Sequence, residues 1–201
     1  MIRERVGSRP GRALPRALAW ATALLLLAGC HGNESSPTPI PCTDLDFQGA
    51  ITAMANGDVF LAKDAATCSR LDVAVMVNNL TGIWTVGFDL VYPASEIRYD
   101  SYTLGPLLQK GAPANPPVVF VNQTTSGLQV TMSRLQPDPN VDAVGAEELI
   151  RFRFLRVAAG TGLVDFDSSS NSTVSETILD ESGNSRSASF GPQHGGLVTV
   201  P

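Results

Sequence analysis

Hydrophobic and polar residues alternate along most of the chain after about residue 58, with the period of half-buried β-strands. The clearest segments are residues 71–77, with Leu or Val at every odd position, and residues 84–92, with an apolar or aromatic residue at every even position. Trp84 shares the apolar face of the second segment, so the pattern predicts that its indole points into the core. The same alternation predicts further strands at residues 118–122, 128–135, 148–157, 162–167, 174–179 and 197–200.

Turn-forming residues separate the predicted strands. Residues 124–127 (TTSG) predict a hairpin between two of them, clusters of Ser, Asn and Gly at 168–171 and 182–184 predict turns, and residues 103–110 predict one short helical turn. Eight or nine short strands without a long amphipathic helix predict an all-β fold, an antiparallel β-sandwich. The segment 42–201 is long enough to bury one core, so we predict a single domain there.

The first thirty residues have the layout of a secretion signal. Five arginines precede an uninterrupted apolar run of 12 residues at 17–28, which is too short to cross a bilayer because a spanning helix needs about 20 residues. The sequence LAGC at residues 27–30 resembles the lipobox of bacterial lipoproteins. This resemblance implies that residues 1–29 are a signal peptide and that Cys30 becomes the acylated first residue of the mature protein. The alternative is an ordinary secreted protein that is cleaved near Gly29.

The segment after the cysteine reads as a tether. Residues 30–41 include three prolines and two serines but no aromatic residue, a composition that does not pack a core. In bacterial lipoproteins, an Asp after the acylated cysteine often retains the protein at the inner membrane, whereas this chain has His31. The resemblance therefore implies a lipid-anchored location in the cell envelope, at the outer membrane.

Two cysteines remain once Cys30 is assigned to lipid. Cys42 and Cys68 would lie in a compartment that permits disulfides, and a bridge between them would close a loop of about 26 residues and add about 3 kcal/mol. The alternative is a pair of buried free thiols. Two cysteines without a neighbouring histidine do not supply the four ligands of a structural zinc site, so no metal is predicted.

The charge is divided unevenly along the chain. Residues 1–29 hold five of the 14 basic residues and one of the 19 acidic residues, so residues 30–201 carry nine basic and 18 acidic side chains, a formal charge of −9. An acidic body of this kind repels phosphate backbones, and no nucleic-acid partner is predicted.

The sequence offers poor material for catalysis, so we predict that the protein is not an enzyme and needs no cofactor. His194 lies in a loop rich in Gly and Pro and is predicted to be solvated. Glu147 and Glu148 are neighbours on a predicted strand, where successive side chains point to opposite faces, so they do not form an acid/base pair. Arg151 and Arg153 are predicted on an outer strand face, where they are solvated or meet an acidic partner.

Two further kinds of binding site have weak sequence signals. Residues 138–142 (DPNVD) carry the alternating oxygen ligands of the first half of a calcium loop, but Ala143 and Leu149 stand where the loop requires Gly and Glu, so a polar turn is favoured. A carbohydrate site needs exposed aromatic rings. Tyr99 and Tyr102, three residues apart in a polar stretch, are the candidates for one.

Three features, in order, are similar to bacterial cohesin domains. The first is the strand at 71–77, followed by a turn and by GFDLVYP at 87–93; the second is a glycine and a Phe-rich strand within 145–157. The third begins near residue 162 and ends in GGLVTV at 195–200. The resemblance covers about residues 58–201 and implies a nine-stranded jelly-roll sandwich, related in fold to some carbohydrate-binding modules. Cohesins of cellulose-degrading bacteria bind dockerin modules through one sheet face.

Together these interpretations predict a non-catalytic binding module, anchored by lipid at the cell envelope, that docks a dockerin-like protein across one polar sheet face. The alternative is that the same β-sandwich binds a polysaccharide. Fold resemblance alone does not decide between these two partners.

Overall fold

The computed structural model describes residues 42–125, 127–167, 176–191 and 193–201. The predictions for the signal peptide, Cys30 and the tether lie outside these residues, as do the predicted turn at 168–171 and the start of the predicted strand at 174–179. In the described ranges, no helix has the length and apolar character needed to cross a membrane. Those ranges contain eleven strands: β1 (Asp46–Gly49), β2 (Val59–Ala66), β3 (Arg70–Asn78), β4 (Thr85–Val91), β5 (Ile97–Leu104), β6 (Val118–Gln123), β7 (Gly127–Ser133), β8 (Ala146–Arg156), β9 (Gly160–Phe166), β10 (Thr177–Leu179) and β11 (Gly196–Val200).

The strands form two sheets with antiparallel pairing throughout. The seven-stranded sheet has the order β1-β11-β9-β4-β7-β6, and β10 pairs with β4. The four-stranded sheet has the order β2-β3-β8-β5. Hydrophobic residues of both sheets pack into one core, which confirms the predicted antiparallel β-sandwich.

Period-two alternation places the core residues as the sequence predicts. On β3, every odd position from 71 to 77 is fully buried. From the other sheet, the ring of Phe88 makes edge-to-face contacts with Phe152, at a centroid distance of 6.4 Å, and with Phe166, at 5.5 Å. Phe152 belongs to β8, so this contact joins the two sheets across the core.

Three strands, β1, β2 and β5, were not predicted, because none of them alternates cleanly. β2 opens with four consecutive apolar residues and has a bulge between Lys63 and Ala65. β5 has the sequence IRYDSYTL and lies at the edge of its sheet, where polar residues are tolerated. A bulge between Tyr99 and Ser101 shifts its register against β8 and breaks the period of two. β1 has only four residues, which is too short for a periodic pattern to stand out.

The prediction for Trp84 is wrong: the side chain is half-buried and is not part of the core. Trp84 precedes β4, where its N–H donates to the carbonyl of Leu179 at 2.8 Å and its carbonyl accepts the N–H of Arg134 at 3.0 Å. Ile83, one residue earlier, is fully buried. The inward position at this end of the strand therefore belongs to Ile83, and the alternation read from the sequence does not extend to residue 84.

Local predictions about turns are confirmed in two places. β6 and β7 pair across residues 124–127, with Gln123 opposite Leu128, and Leu107–Gln109 forms a single 3₁₀ turn. Cys42 and Cys68 form a disulfide with their Cα atoms 5.6 Å apart. This bond joins the start of the described domain to the turn between β2 and β3.

Candidate functional site

The outer side of the seven-stranded sheet carries a surface almost without charge, which we call the neutral face. Because Val86, Phe88 and Leu90 of β4 are buried in the core, the residues between them point outward. The registers of β6 with β7 and of β7 with β4 align these outward residues in rows across three strands. From β6 to β4, the rows that define the neutral face are Val118, Ser133 and Thr85; Phe120, Thr131 and Gly87; and Asn122, Gln129 and Asp89.

Hydrogen bonds between neighbouring strands hold the polar side chains of the neutral face in place. The hydroxyls of Thr85 and Ser133 are 2.7 Å apart, and the amide of Asn122 donates to Gln129 Oε1 at 2.9 Å. Asp89, the one charged residue in these rows, is buried. The accessible side chains of the neutral face are therefore neutral hydroxyl, amide and hydrocarbon groups.

Exposed apolar side chains lie at both ends of this side of the sheet. On β6, Val118 is 52% exposed and Phe120 is 62% exposed. On β9 and β11, Leu163 is 62% exposed and Leu197 is 42% exposed, and the two residues are directly paired across the strands. Aromatic and apolar residues surrounded by neutral polar groups are typical of the centres of protein–protein interfaces.

Sequence analysis missed Phe120, Leu163 and Leu197 as surface residues, since alternation alone does not say which side of a strand is covered. One signal in the sequence marks the region of β6 and β7. Residues 111–133 contain no charged side chain, although Lys110 and Arg134 stand immediately before and after them.

The outer side of the four-stranded sheet is different, and we call it the charged face. Arg153 donates to Asp72 through Nε at 3.0 Å and through Nη2 at 3.3 Å. Arg151 contacts Asp64 at 3.0 Å and Glu148 at 2.7 Å, and the hydrogen bond to Glu148 raises the pKa of the guanidinium. The predicted outward position of both arginines is confirmed, and both are already paired with carboxylates of the same domain.

The two tyrosines proposed for carbohydrate binding lie on β5 in different surroundings. Tyr99 packs against the core, with its ring centroid 6.3 Å from that of Phe152 and 6.5 Å from that of Phe154, and burial raises the pKa of its phenol. Tyr102 is exposed. The expectation that both rings are exposed is therefore right for Tyr102 and wrong for Tyr99.

The prediction that His194 is a solvated loop residue is wrong. Its side chain is largely buried at one wall of a cleft of about 350 Å³, with Nε2 3.4 Å from Oδ1 of Asp58. The carbonyls of Ser189 and His194 accept the N–H groups of Val59 and Leu61 on β2, which draws this loop onto the edge of the sheet. Within the described residues, no hydroxyl or thiol is hydrogen-bonded to the imidazole, so His194 and Asp58 form a pair without a nucleophile.

Two half-buried acidic residues lie near this histidine. Burial raises the pKa of Asp165, while the N–H of Phe166 and the nearby His194 act in the opposite direction. Burial also raises the pKa of Glu176, and the neighbouring acidic side chains, Asp165 first among them, raise it further. Neither carboxylate is paired with an arginine or a lysine in the part of the chain that the structure describes.

Residues 138–142 form a polar turn, as the sequence favours, and their side-chain oxygens accept hydrogen bonds from backbone N–H groups. Asp138 accepts from Ala114 at 2.7 Å, and Asp142 accepts from Gly82 at 2.8 Å. Asn140 accepts from Glu181 at 2.9 Å. Across the described ranges, no group of three or more His, Cys, Asp or Glu side chains is placed to hold a metal ion.

Glu147 and Glu148 point to opposite sides of β8, as predicted. Glu148 pairs with Arg151 on the charged face, whereas Glu147 binds Lys110 at 2.6 Å. Burial alone would raise the pKa of Glu147, but the hydrogen bonds from Lys110 and from the N–H of Val144 outweigh burial and lower it.

Solved structures similar to this chain are cohesin modules. The type II cohesin dyad from the adaptor ScaA scaffoldin of Acetivibrio cellulolyticus aligns with a TM-score of 0.53 at 9% identity, over 73% of this chain and 49% of the dyad. The second type II cohesin module of the same scaffoldin aligns with a TM-score of 0.51 at 15% identity, over 66% of this chain and 84% of the module. The fold is cohesin-like. The sequence itself matches no family model and no curated protein.

A third similar structure was solved with a partner. The sixth cohesin from scaffoldin B of Acetivibrio cellulolyticus, in complex with a mutant Cel5 dockerin, aligns with a TM-score of 0.50 at 16% identity, over 67% of this chain and 94% of that cohesin. At these identities, the likeness defines the fold of the present chain, a cohesin-like β-sandwich, and the resemblance noted in the sequence is confirmed at that level.

Proposed function

We propose that this chain is a non-catalytic protein-binding module of the cell envelope, held at the outer membrane by acyl chains on Cys30, and that it docks a dockerin-like protein on the neutral face. The observation that supports the proposal is that removing water costs less free energy on the neutral face than on the charged face. A partner that covers the neutral face removes water from neutral groups that already hydrogen-bond one another.

Docking on the charged face would be less favourable. Removing water from Arg151, Arg153 and their carboxylates carries a large desolvation penalty. Because these side chains already form ion pairs within the domain, a partner would offer them no new ion pair to offset that penalty. Phe120 and Val118, by contrast, expose apolar surface whose burial is favourable. We propose a dockerin-like partner because a cohesin of similar fold was solved in complex with a dockerin.

A matched pair of variants tests the face. Thr131→Arg places a long cation in the middle row of the neutral face, and Thr103→Arg makes the same change on β5, opposite Arg151 of the charged face. We expect the parent and Thr103→Arg to capture the same protein from the native envelope fraction, and we expect Thr131→Arg to bind it at least about tenfold more weakly. The captured protein should carry paired calcium-loop repeats, as dockerins do.

The proposal fails if Thr131→Arg and Thr103→Arg bind the partner equally well while both retain the circular dichroism and melting temperature of the parent. The anchor is tested separately by mass spectrometry of the mature N-terminus. An unmodified thiol at Cys30 would remove the lipid anchor from the proposal and leave the docking face untouched.

Polysaccharide binding remains the second candidate, and its support is the exposed ring of Tyr102. Because Tyr99 packs against the core, only one of the two tyrosine rings proposed for carbohydrate binding, that of Tyr102, is exposed. A glycan array in which binding is lost on Tyr102→Ala, and kept on Thr131→Arg, would favour this candidate over protein docking.

A further inference from the structure

The free edge of β6 is the least protected edge of the sandwich, and we propose that two copies of this chain pair there. Antiparallel pairing of β6 with the partner's β6 would join two seven-stranded sheets into one continuous sheet. This inference goes beyond the proposed docking function, because it concerns a strand edge and a second copy of the same chain.

The other sheet edges carry features that oppose strand addition. β1 has four residues and an exposed ion pair between Asp46 and Lys63 at 2.8 Å. β2 carries Lys63 and Asp64 beside a bulge, and on its free side the N–H groups of Val59 and Leu61 already donate to the carbonyls of Ser189 and His194. β5 carries Arg98 and Asp100 and is also bulged.

β6 has none of these features. Its sequence is VVFVNQ, six residues without charge or proline, and its ladder with β7 runs without a register shift. In the described ranges, no backbone group pairs with its outer side. An uncharged, regular edge strand with exposed apolar side chains is a template for another strand.

The hairpin geometry identifies the backbone groups that remain available. The N–H of Thr124 donates to the carbonyl of Gly127 at 2.9 Å, so this residue pair is hydrogen-bonded. Hydrogen-bonded pairs recur at every second residue of an antiparallel ladder, which makes Phe120 opposite Thr131 another such pair. The N–H and C=O groups of Val119 and Val121 therefore point away from β7, toward the free edge.

The charge distribution favours a second copy as the occupant. Residues 30–201 carry a formal charge of −9, so two copies repel each other over most of their surface. Residues 111–133, which contain β6 and β7, have no charge at all. Two copies can meet at this edge without bringing like charges together, and the edge offers no charge with which to select a charged partner.

The sequence of β6 also suits pairing with itself. With the two-fold axis at Phe120, Val119 exchanges hydrogen bonds with the partner's Val121, and Phe120 lies opposite the partner's Phe120 in a non-hydrogen-bonded pair, where side chains are closest. Both rings then lie on the same side of the joined sheet. The exposed ring of Phe120 gains an apolar neighbour, and the two neutral faces become continuous.

The test measures the mass of the full-length mature protein in solution by sedimentation equilibrium. We expect the parent to be a dimer that dissociates on dilution and Phe120→Lys to raise the dissociation constant at least about tenfold, since it places two cations opposite each other. Leu163→Lys is the matched control, because Leu163 has the same 62% exposure on the same side of the sheet, and it should leave the dimer unchanged. A parent that stays monomeric at its highest soluble concentration, or a dimer equally sensitive to both variants, overturns the proposal.

Cross-linking tests the register independently of stability. Under mild oxidation, Phe120→Cys should form a disulfide-linked dimer, whereas Leu163→Cys should give only the background of the parent with its native cysteines. Equal cross-linking at the two positions would overturn the proposed register. Thr131→Arg should leave the dimer intact while it weakens partner binding, so failure of the dimer and failure of the docking function are distinguishable.

Discussion

The two outer faces of the sandwich handle charge in opposite ways. The four-stranded sheet displays its charges on the surface, where Arg151 and Arg153 are paired with carboxylates of neighbouring strands. On β4, β6 and β7, the strands of the neutral face, charged groups are kept away from the surface: Asp89 is buried, and Arg134, directly after β7, is only 2% exposed. One face is therefore satisfied by its own ion pairs, whereas the other is free of exposed charge and available for contact.

Arg134, directly after β7, is a buried arginine whose guanidinium is held by backbone carbonyls. Its Nη1 donates to the carbonyls of Leu108, at 2.5 Å, and Lys110, at 3.1 Å, and no carboxylate pairs with it in the described residues. These carbonyls belong to the 3₁₀ turn and the residue after it. The arginine thus fastens this turn to the end of β7 and leaves no charge on the surface.

The largest effect we expect comes from removing this buried arginine. Arg134→Ala leaves two carbonyls without their donor and opens a cavity, so the free energy of unfolding should fall by about 3 kcal/mol in urea titrations. Arg98→Ala, at an exposed arginine of β5, is the control and should change it by less than about 0.5 kcal/mol. If Arg134→Ala and Arg98→Ala lowered the free energy of unfolding equally, the buried arginine would contribute no more to stability than the exposed one.

A smaller effect is expected on the charged face. Asp72 is buried and accepts two hydrogen bonds from Arg153, so Asp72→Ala should lower the free energy of unfolding by about 1 to 2 kcal/mol. The loss is smaller than for Arg134 because the arginine left behind is exposed enough to be rehydrated. Asp100→Ala, an exposed carboxylate on β5, is the control. A loss for Asp72→Ala as large as that for Arg134→Ala would remove the difference between the faces.

The fold was predictable from the sequence because burial on both sides of this core follows a period of two. Residues 71–77 have Leu or Val at every odd position, residues 150–154 have Ile or Phe at every even position, and both segments lie in the middle strands of the four-stranded sheet. The pattern failed where tertiary geometry intervened. A bulge in β5 interrupts the alternation of that strand, and before β4 the residue buried in the core is Ile83 and not Trp84.

The candidate site was less predictable than the fold. Alternation places Phe120 and Thr131 on the same side of their hairpin, but it does not say which side of the sheet other elements cover. The prediction for His194 is wrong because the backbone hydrogen bonds that draw its loop onto β2 join residues at least 130 positions apart. Only the uncharged stretch at 111–133 marked the neutral face in the sequence, and its meaning depends on the sheet order that brings β6 to an edge.

The smallest expected effect concerns the acidic side chains near the boundary of the neutral side. Burial raises the pKa of Asp165 and of Glu176 above the value in the unfolded chain. A carboxyl with a raised pKa contributes stability in full below its unfolded pKa, near 4, and the contribution is lost as the pH rises through the folded pKa. Ionising either carboxyl in the folded protein therefore costs stability, and this cost is relieved as the pH falls through the folded pKa.

Asp165→Asn and Glu176→Gln test this sign. Each should raise the free energy of unfolding at pH 7 by about 0.5 kcal/mol, a modest gain because both side chains are only half-buried, and the gain should shrink as the pH is lowered. The comparison must be parent against variant at each pH, because Glu147 and Asp180, whose pKa values are lowered, cause the parent to lose stability at still lower pH. The charged face provides the reference: its carboxylates have arginine partners, so Glu148→Gln should lose stability at pH 7 where Asp165→Asn gains it. Equal destabilisation by Glu148→Gln and Asp165→Asn at pH 7 would contradict the predicted difference between an acid that has an arginine partner and one that has none among the described residues.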